Sequence, residues 1–61
     1  MKEITAHVEQ NTIYAVVIAI DDHDAMMDCL TRTFTGFNVK DAVRNANKRL
    51  NLFGYEIKEV K

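Results

Sequence analysis

Thr12-Ile13-Tyr14-Ala15-Val16-Val17-Ile18-Ala19-Ile20 is the near-continuous apolar run of this 61-residue chain, and its β-branched residues decide how the rest is read. It lies between Gln10-Asn11 and Asp21-Asp22-His23-Asp24. It is too short to cross a bilayer, which takes about 20 apolar residues. A bounded run of this composition reads as a central strand, 12–20, buried on both faces. Such a strand needs a neighbour on each side and a helix over at least one face.

Upstream, Ile4, Ala6 and Val8 alternate with Glu3, Thr5, His7 and Glu9, the period of a half-buried strand over 3–9. Gln10-Asn11 is the expected hairpin turn, since asparagine tolerates positive φ. Downstream, the acidic break at Asp21–Asp24 reads as a second hairpin turn, and Thr31, Thr33, Phe34 and Thr35 favour a third strand over 25–35. Gly36 ends it. Asn38 then reads as an N-cap, Asp41 suits the positive end of a helix dipole, and Phe37 is placed to staple onto the first turn. Val39, Ala42, Val43, Ala46 and Leu50 share one stripe of a helix over about 39–51, with Ala42 and Ala46 small enough for close approach to a sheet. Gly54 closes the helix, and Tyr55 to Val60 alternates as a last strand whose Glu56, Lys58 and Glu59 suit a guarded edge.

These elements predict an α+β domain over residues 1–61: a ββ(β)αβ-type antiparallel sheet of three to four strands against one helix. The first strand sits at an outer edge, pairs across a dimer, or displaces a neighbour of the central strand; the residues leave that choice open. A homodimer through an edge strand is a natural resort for a chain this short, which buries only about 60% of its unfolded surface.

The same shortage of core argues against a catalytic cleft, so an enzyme is not expected. Net charge is −1 with both signs plentiful, so any electrostatic function rests on local clusters. The single cysteine, Cys29, forms no internal disulfide and reads as a small buried hydrophobe, which suits a cytoplasmic protein, and no leader-like h-region follows Met1. His7 and His23 read as surface residues, and Tyr14 and Tyr55 as partly buried ones. Two clusters stand out. Asp21, Asp22 and Asp24, with His23 and Asp28, are cation-ligand types, but they lack the glycine and bidentate glutamate of a calcium loop and match no zinc spacing, so neither metal nor cofactor is expected. As an acidic hairpin tip they would instead face a basic partner surface. Lys40, Arg44 and Lys48, at successive i, i+4 positions, form a basic row on the exposed helix face that could meet an acidic protein or phosphates, with Arg49 and Arg32 as extensions.

Asp41-Ala42-Val43 followed by Ala46, and then Gly54-Tyr55-Glu56-Ile57-Lys58-Glu59-Val60, resembles the ending of small phage-encoded proteins built from a hairpin, a helix and a final strand. Phage inhibitors of bacterial RNA polymerase are among them. The resemblance covers about the last two-thirds of the chain in pattern and implies an accessory protein that modulates a host protein by binding it. Where arginines of that family's final strand help to contact the polymerase, this chain has Lys58 and Glu59, so no binding residue carries over. The expected function is a non-catalytic protein-interaction module using Asp21, Asp22, Asp24, Lys40, Arg44 and Lys48. The alternative is a small nucleic-acid binder using the basic helix face.

Overall fold

A computed structural model describes residues 1–61. Its elements, in chain order, are β1 (Lys2–Asn11), β2 (Val16–Ile20), α1 (His23–Cys29), β3 (Thr33–Gly36), α2 (Val39–Leu50) and β4 (Tyr55–Val60), with a single 3₁₀ turn at Asn51–Phe53 before β4. The class is α+β: one four-stranded mixed sheet carries both helices. Strand order is β3-β2-β1-β4, with β1–β2 and β2–β3 antiparallel and β1–β4 parallel.

The first strand is therefore interior. It displaces a neighbour of the central strand, the third of the expected placements, and it is long enough to pair with β2 over Ala6–Asn11 and with β4 over Lys2–Ala6. β2 does have two neighbours, β1 and β3. The all-antiparallel arrangement fails at one seam, because α2 carries the chain from one sheet edge across to the other, and β4 arrives running with β1.

Two segments differ from the sequence reading. Thr12–Ala15 is not strand but the hairpin turn itself: pairing ends at Asn11↔Val16, and the Thr12 hydroxyl accepts from the amides of Tyr14 (3.2 Å) and Ala15 (3.1 Å), replacing the usual turn glycine. The expected strand over 25–35 is instead the helix α1 followed by the short β3. Asp22 caps α1 by accepting from the Ala25 amide at 2.9 Å, and Ala25 and Cys29, one turn apart, are its buried face. Asp21–Asp24 is accordingly a helix start, not an acidic hairpin tip.

The core lies on one face of the sheet. Ile4 and Ala6 of β1, Val16, Ile18 and Ile20 of β2, and Tyr55 and Ile57 of β4 meet Ala25 and Cys29 of α1 and Ala42, Ala46 and Leu50 of α2 in one buried cluster. Val39 and Val43 pack at its margin. Ala42 rides directly over Gly36, where an added Cβ would stand 2.3 Å from the Ala42 nitrogen. Two asparagines fasten the flanks of α2 to the sheet edges: Asn45 Nδ2 donates to the Thr35 carbonyl of β3 (2.8 Å), and Asn47 Oδ1 accepts from the Ile57 amide of β4 (2.9 Å). The other sheet face carries no helix. There Thr5, His7, Thr33 and Thr35 surround Val17 and a fully covered Ala19. No helix is long and apolar enough to cross a membrane.

Candidate interaction site

The end of the sheet where β1 turns into β2 is also the end where β3 passes into α2, because Val16 pairs with both Asn11 and Gly36. This juxtaposition gathers apolar side chains that the core does not use. Ile13 and Tyr14, at the turn, are 91% and 80% exposed, and Phe37, between Gly36 and the N-cap, is 86% exposed. Tyr14 is thus not half-buried, and Phe37 does not staple the helix; it projects from the link between β3 and α2. Between them lies a groove of about 270 Å³ lined by Tyr14, Ala15, Thr35, Gly36, Phe37 and Asn45. Scattered exposed apolar residues are ordinary on small proteins; here two exposed aromatics, Tyr14 and Phe37, line one concavity, with Ile13 next to Tyr14 in the turn.

α2 begins at this groove. Asn38 caps it, its side-chain oxygen accepting from the Asp41 amide at 2.8 Å. Lys40, Arg44 and Lys48 are exposed along it, and only Arg44 has an acidic neighbour, Asp41, at 3.6 Å. The basic row therefore starts beside Phe37. Arg49 and Arg32 do not extend it. Arg49 donates from Nε and Nη2 to the Cys29 carbonyl (3.1 and 2.8 Å), closing the C-terminal end of α1, and lies over the Phe53 ring at 5.9 Å. Arg32 Nη2 reaches Glu9 at 2.7 Å.

The acidic residues are not brought to one surface. Asp21 turns onto the helix-free sheet face, accepting from Thr5 Oγ1 (3.2 Å) and lying 2.7 Å from His7 Nδ1. Asp22 caps α1 and pairs with Lys2 Nζ at 3.0 Å, and Asp24 is exposed in the first turn of that helix. The His7 contact holds the Asp21 carboxyl below its usual range, and the amide bond from Ala25 does the same for Asp22. These groups are engaged in holding the fold, and they lie toward the sheet end opposite the groove.

His7 sits between two carboxylates, with Nε2 3.3 Å from Glu9, and Asp21 above all pushes its pKa up. Its ring is a clasp across β1 and the end of β2. Tyr55 donates its hydroxyl to Asp28 at 2.5 Å, a bond that raises the phenol to about 12 and ties α1 to the start of β4. Burial pushes the Cys29 thiol up, away from nucleophilic form. No group of three or more His, Cys, Asp or Glu residues is placed to hold a metal ion.

The sequence places Lys40, Arg44 and Lys48 on the exposed face of α2, where they lie, but does not mark Ile13, Tyr14 and Phe37 as exposed. The first two are hidden in an apolar run that reads as strand. Phe37 had a signal, an aromatic wedged between a strand-ending glycine and an N-cap, but the staple offered it an internal use. Comparison of the chain with known protein families, with curated protein sequences and with solved structures finds no match.

Proposed function

We propose that this protein is a non-catalytic protein-interaction module that docks a partner at the hairpin tip. The observation that carries this reading is the pair of exposed aromatics, Tyr14 and Phe37, that line one groove, with exposed Ile13 beside Tyr14 in the turn. Aromatic anchors at the centre of a surface supply most of the energy of a protein contact. Lys40 and Arg44, beside them on α2, give the surface a basic margin, so the partner it fits is a protein segment with a large apolar side chain flanked by acidic residues. A cytoplasmic setting belongs to the same proposal, since a free buried thiol suits a reducing compartment. The resemblance to small phage-encoded modulators of host proteins agrees with it.

The test is affinity capture from a bacterial lysate with the wild-type chain, Phe37→Ser, and the triple variant Lys40→Glu, Arg44→Glu, Lys48→Glu. A specific partner should be lost with Phe37→Ser, with affinity falling about 30-fold for an anchor worth about 2 kcal/mol. The charge variant should slow association and weaken the salt dependence. A partner held equally by all three proteins would remove the tip from consideration.

One arrangement favours a second reading. Tyr14 and Phe37 stand at the head of the basic row, the pairing of stacking rings and cations that single-stranded nucleic acid uses. Binding of an oligonucleotide that weakens steeply with salt and fails with Phe37→Ser would select it over the protein partner.

A further inference from the structure

The two edges of the sheet are treated differently. β4 is guarded: Glu56, Lys58 and Glu59 charge it, Lys58 is the extra residue where its pairing with β1 shifts register, and Asn47 occupies the Ile57 amide. β3 is Thr-Phe-Thr-Gly, with no charge and no bulge. Because the Ile20 amide bonds the Arg32 carbonyl, the alternation of an antiparallel ladder turns Thr33 and Thr35 away from β2. Their N–H groups find no acceptor within the chain. Each of their carbonyls has a side-chain donor, Thr31 Oγ1 at 3.5 Å for Thr33 and Asn45 at 2.8 Å for Thr35, and each keeps a second lone pair.

Leu30 is unexplained by the monomer on two counts. It occupies the left-handed region at φ 58, where glycine or asparagine would sit without strain, and its side chain is 85% exposed. It stands at one end of the β3 segment, and Phe37, 86% exposed, stands at the other.

We infer that β3 is a dimerisation edge, pairing antiparallel with β3 of a second copy of this chain about a two-fold axis at Phe34. Of the registers open to it, the one that sets Thr33 opposite Thr35 of the other copy satisfies both free amides of both copies. The same register runs Leu30 of each copy toward the end of the seam at which the other copy's Phe37 projects. Threonine faces threonine across the seam on the helix-free side, a favourable cross-strand pair. The result is one eight-stranded sheet in which Leu30 of the second copy closes the open side of the tip groove. The inference thus rests on the reading of that groove as a contact site. A standard interface takes about 800 Å² from each partner, roughly a fifth of the 4032 Å² this chain exposes, and a four-residue edge with two large apolar residues supplies less. The dimer is accordingly a weak, concentration-dependent one.

Sedimentation equilibrium of the purified chain from micromolar to millimolar concentration, with amide exchange at both ends of that range, tests this. The Thr33 and Thr35 amides should exchange freely when dilute and become protected as dimer forms. Thr35→Pro removes a donor that the monomer does not use and should stay monomeric with an unchanged circular-dichroism spectrum. Leu30→Gly relieves the positive φ, so it should dissociate the dimer about tenfold more readily while melting no lower than wild type. A wild-type chain monomeric at millimolar concentration, or a Thr35→Pro variant that dimerises normally, overturns the inference. Partner capture by the tip is measured separately, so a monomeric chain that still loses its partner with Phe37→Ser would sink the dimer and leave the docking site standing.

Discussion

Replacing Gly36 by alanine would set a methyl group against the backbone of α2. The new Cβ would stand 2.3 Å from Ala42 N and 2.7 Å from both Ala42 Cα and Asp41 C, where ordinary contact begins at 3.4 Å. About 1 Å of overlap must be removed, and the obstacle is the first turn of a helix, not the free end of a side chain. That turn is pinned by its Asn38 cap and by the burial of Ala42 and Ala46, so relief requires α2 to lift from Val16 and Ile18. Overpacking costs about 1–3 kcal/mol, and a backbone obstacle places this case near the top, at about 3 kcal/mol. The whole chain, at roughly 0.05–0.15 kcal/mol per residue, has only about 3–9 kcal/mol of stability. With about 4–8 °C per kcal/mol in a domain of this size, the melting temperature should fall by roughly 12–24 °C. Far-UV circular dichroism melts and urea titration give the number. Gly54→Ala is the control: its φ of +88 costs about 1 kcal/mol, but nothing lies within 4 Å of the added methyl. A Gly36→Ala protein melting within a few degrees of wild type, or above Gly54→Ala, would show that the helix does not rest on β3 as described.

Asn47→Ala should cost about 1–3 kcal/mol in urea unfolding, because the Ile57 amide, on a residue only 7% exposed, loses its acceptor; Asn47→Asp keeps an acceptor and should recover most of the loss. Stability should also depend on the His7–Asp21 clasp. His7 titrates above its ordinary 6.5 in the folded chain, so its contribution is fully present below pH 6.5 and is lost as pH rises through the folded value. Asp21 titrates below 3.8, so its contribution is present above that pH and is lost as pH falls through its own folded value. The urea midpoint of wild type minus that of His7→Gln should therefore be largest near pH 5–6 and shrink by pH 9. A difference independent of pH would mean that the ring acts by packing alone.

Local chemistry was readable where one residue decides it. Asn38 caps α2 as its position suggested, and Ala42 and Ala46 are fully buried against the sheet. The start of α1 obeys the same rule, with Asp22 in the role of Asn38 and Ala25 and Cys29 as the buried pair, yet the helix is only seven residues long and the β-formers Thr31–Thr35 follow it. A short helix and a strand start leave similar traces when both alternate polar and apolar residues. Strand order was not readable, because a choice between β1 and β4 as the neighbour of β2 turns on where α2 sets the chain down. The tip was missed because burial is a property of the fold. Ile13 and Tyr14 have the composition of core, and only the Thr12 turn, which shortens β2 to Val16–Ile20, puts them outside it.

The parallel seam also governs the order in which the sheet is laid down. β1 reaches β2 across the short loop between Asn11 and Val16, but its other pairing joins Lys2 to Tyr55, 53 positions further along the chain. Closing the longer loop costs about 2 kcal/mol more in chain entropy before any contact repays it. The hairpin accordingly forms early and the β1–β4 seam closes late, which makes folding slower than for a helical chain of this length. By microscopic reversibility the same seam parts first on unfolding. Holding β4 in place falls to α2 and to the Asn47 bond with the Ile57 amide, at the far edge from the tip.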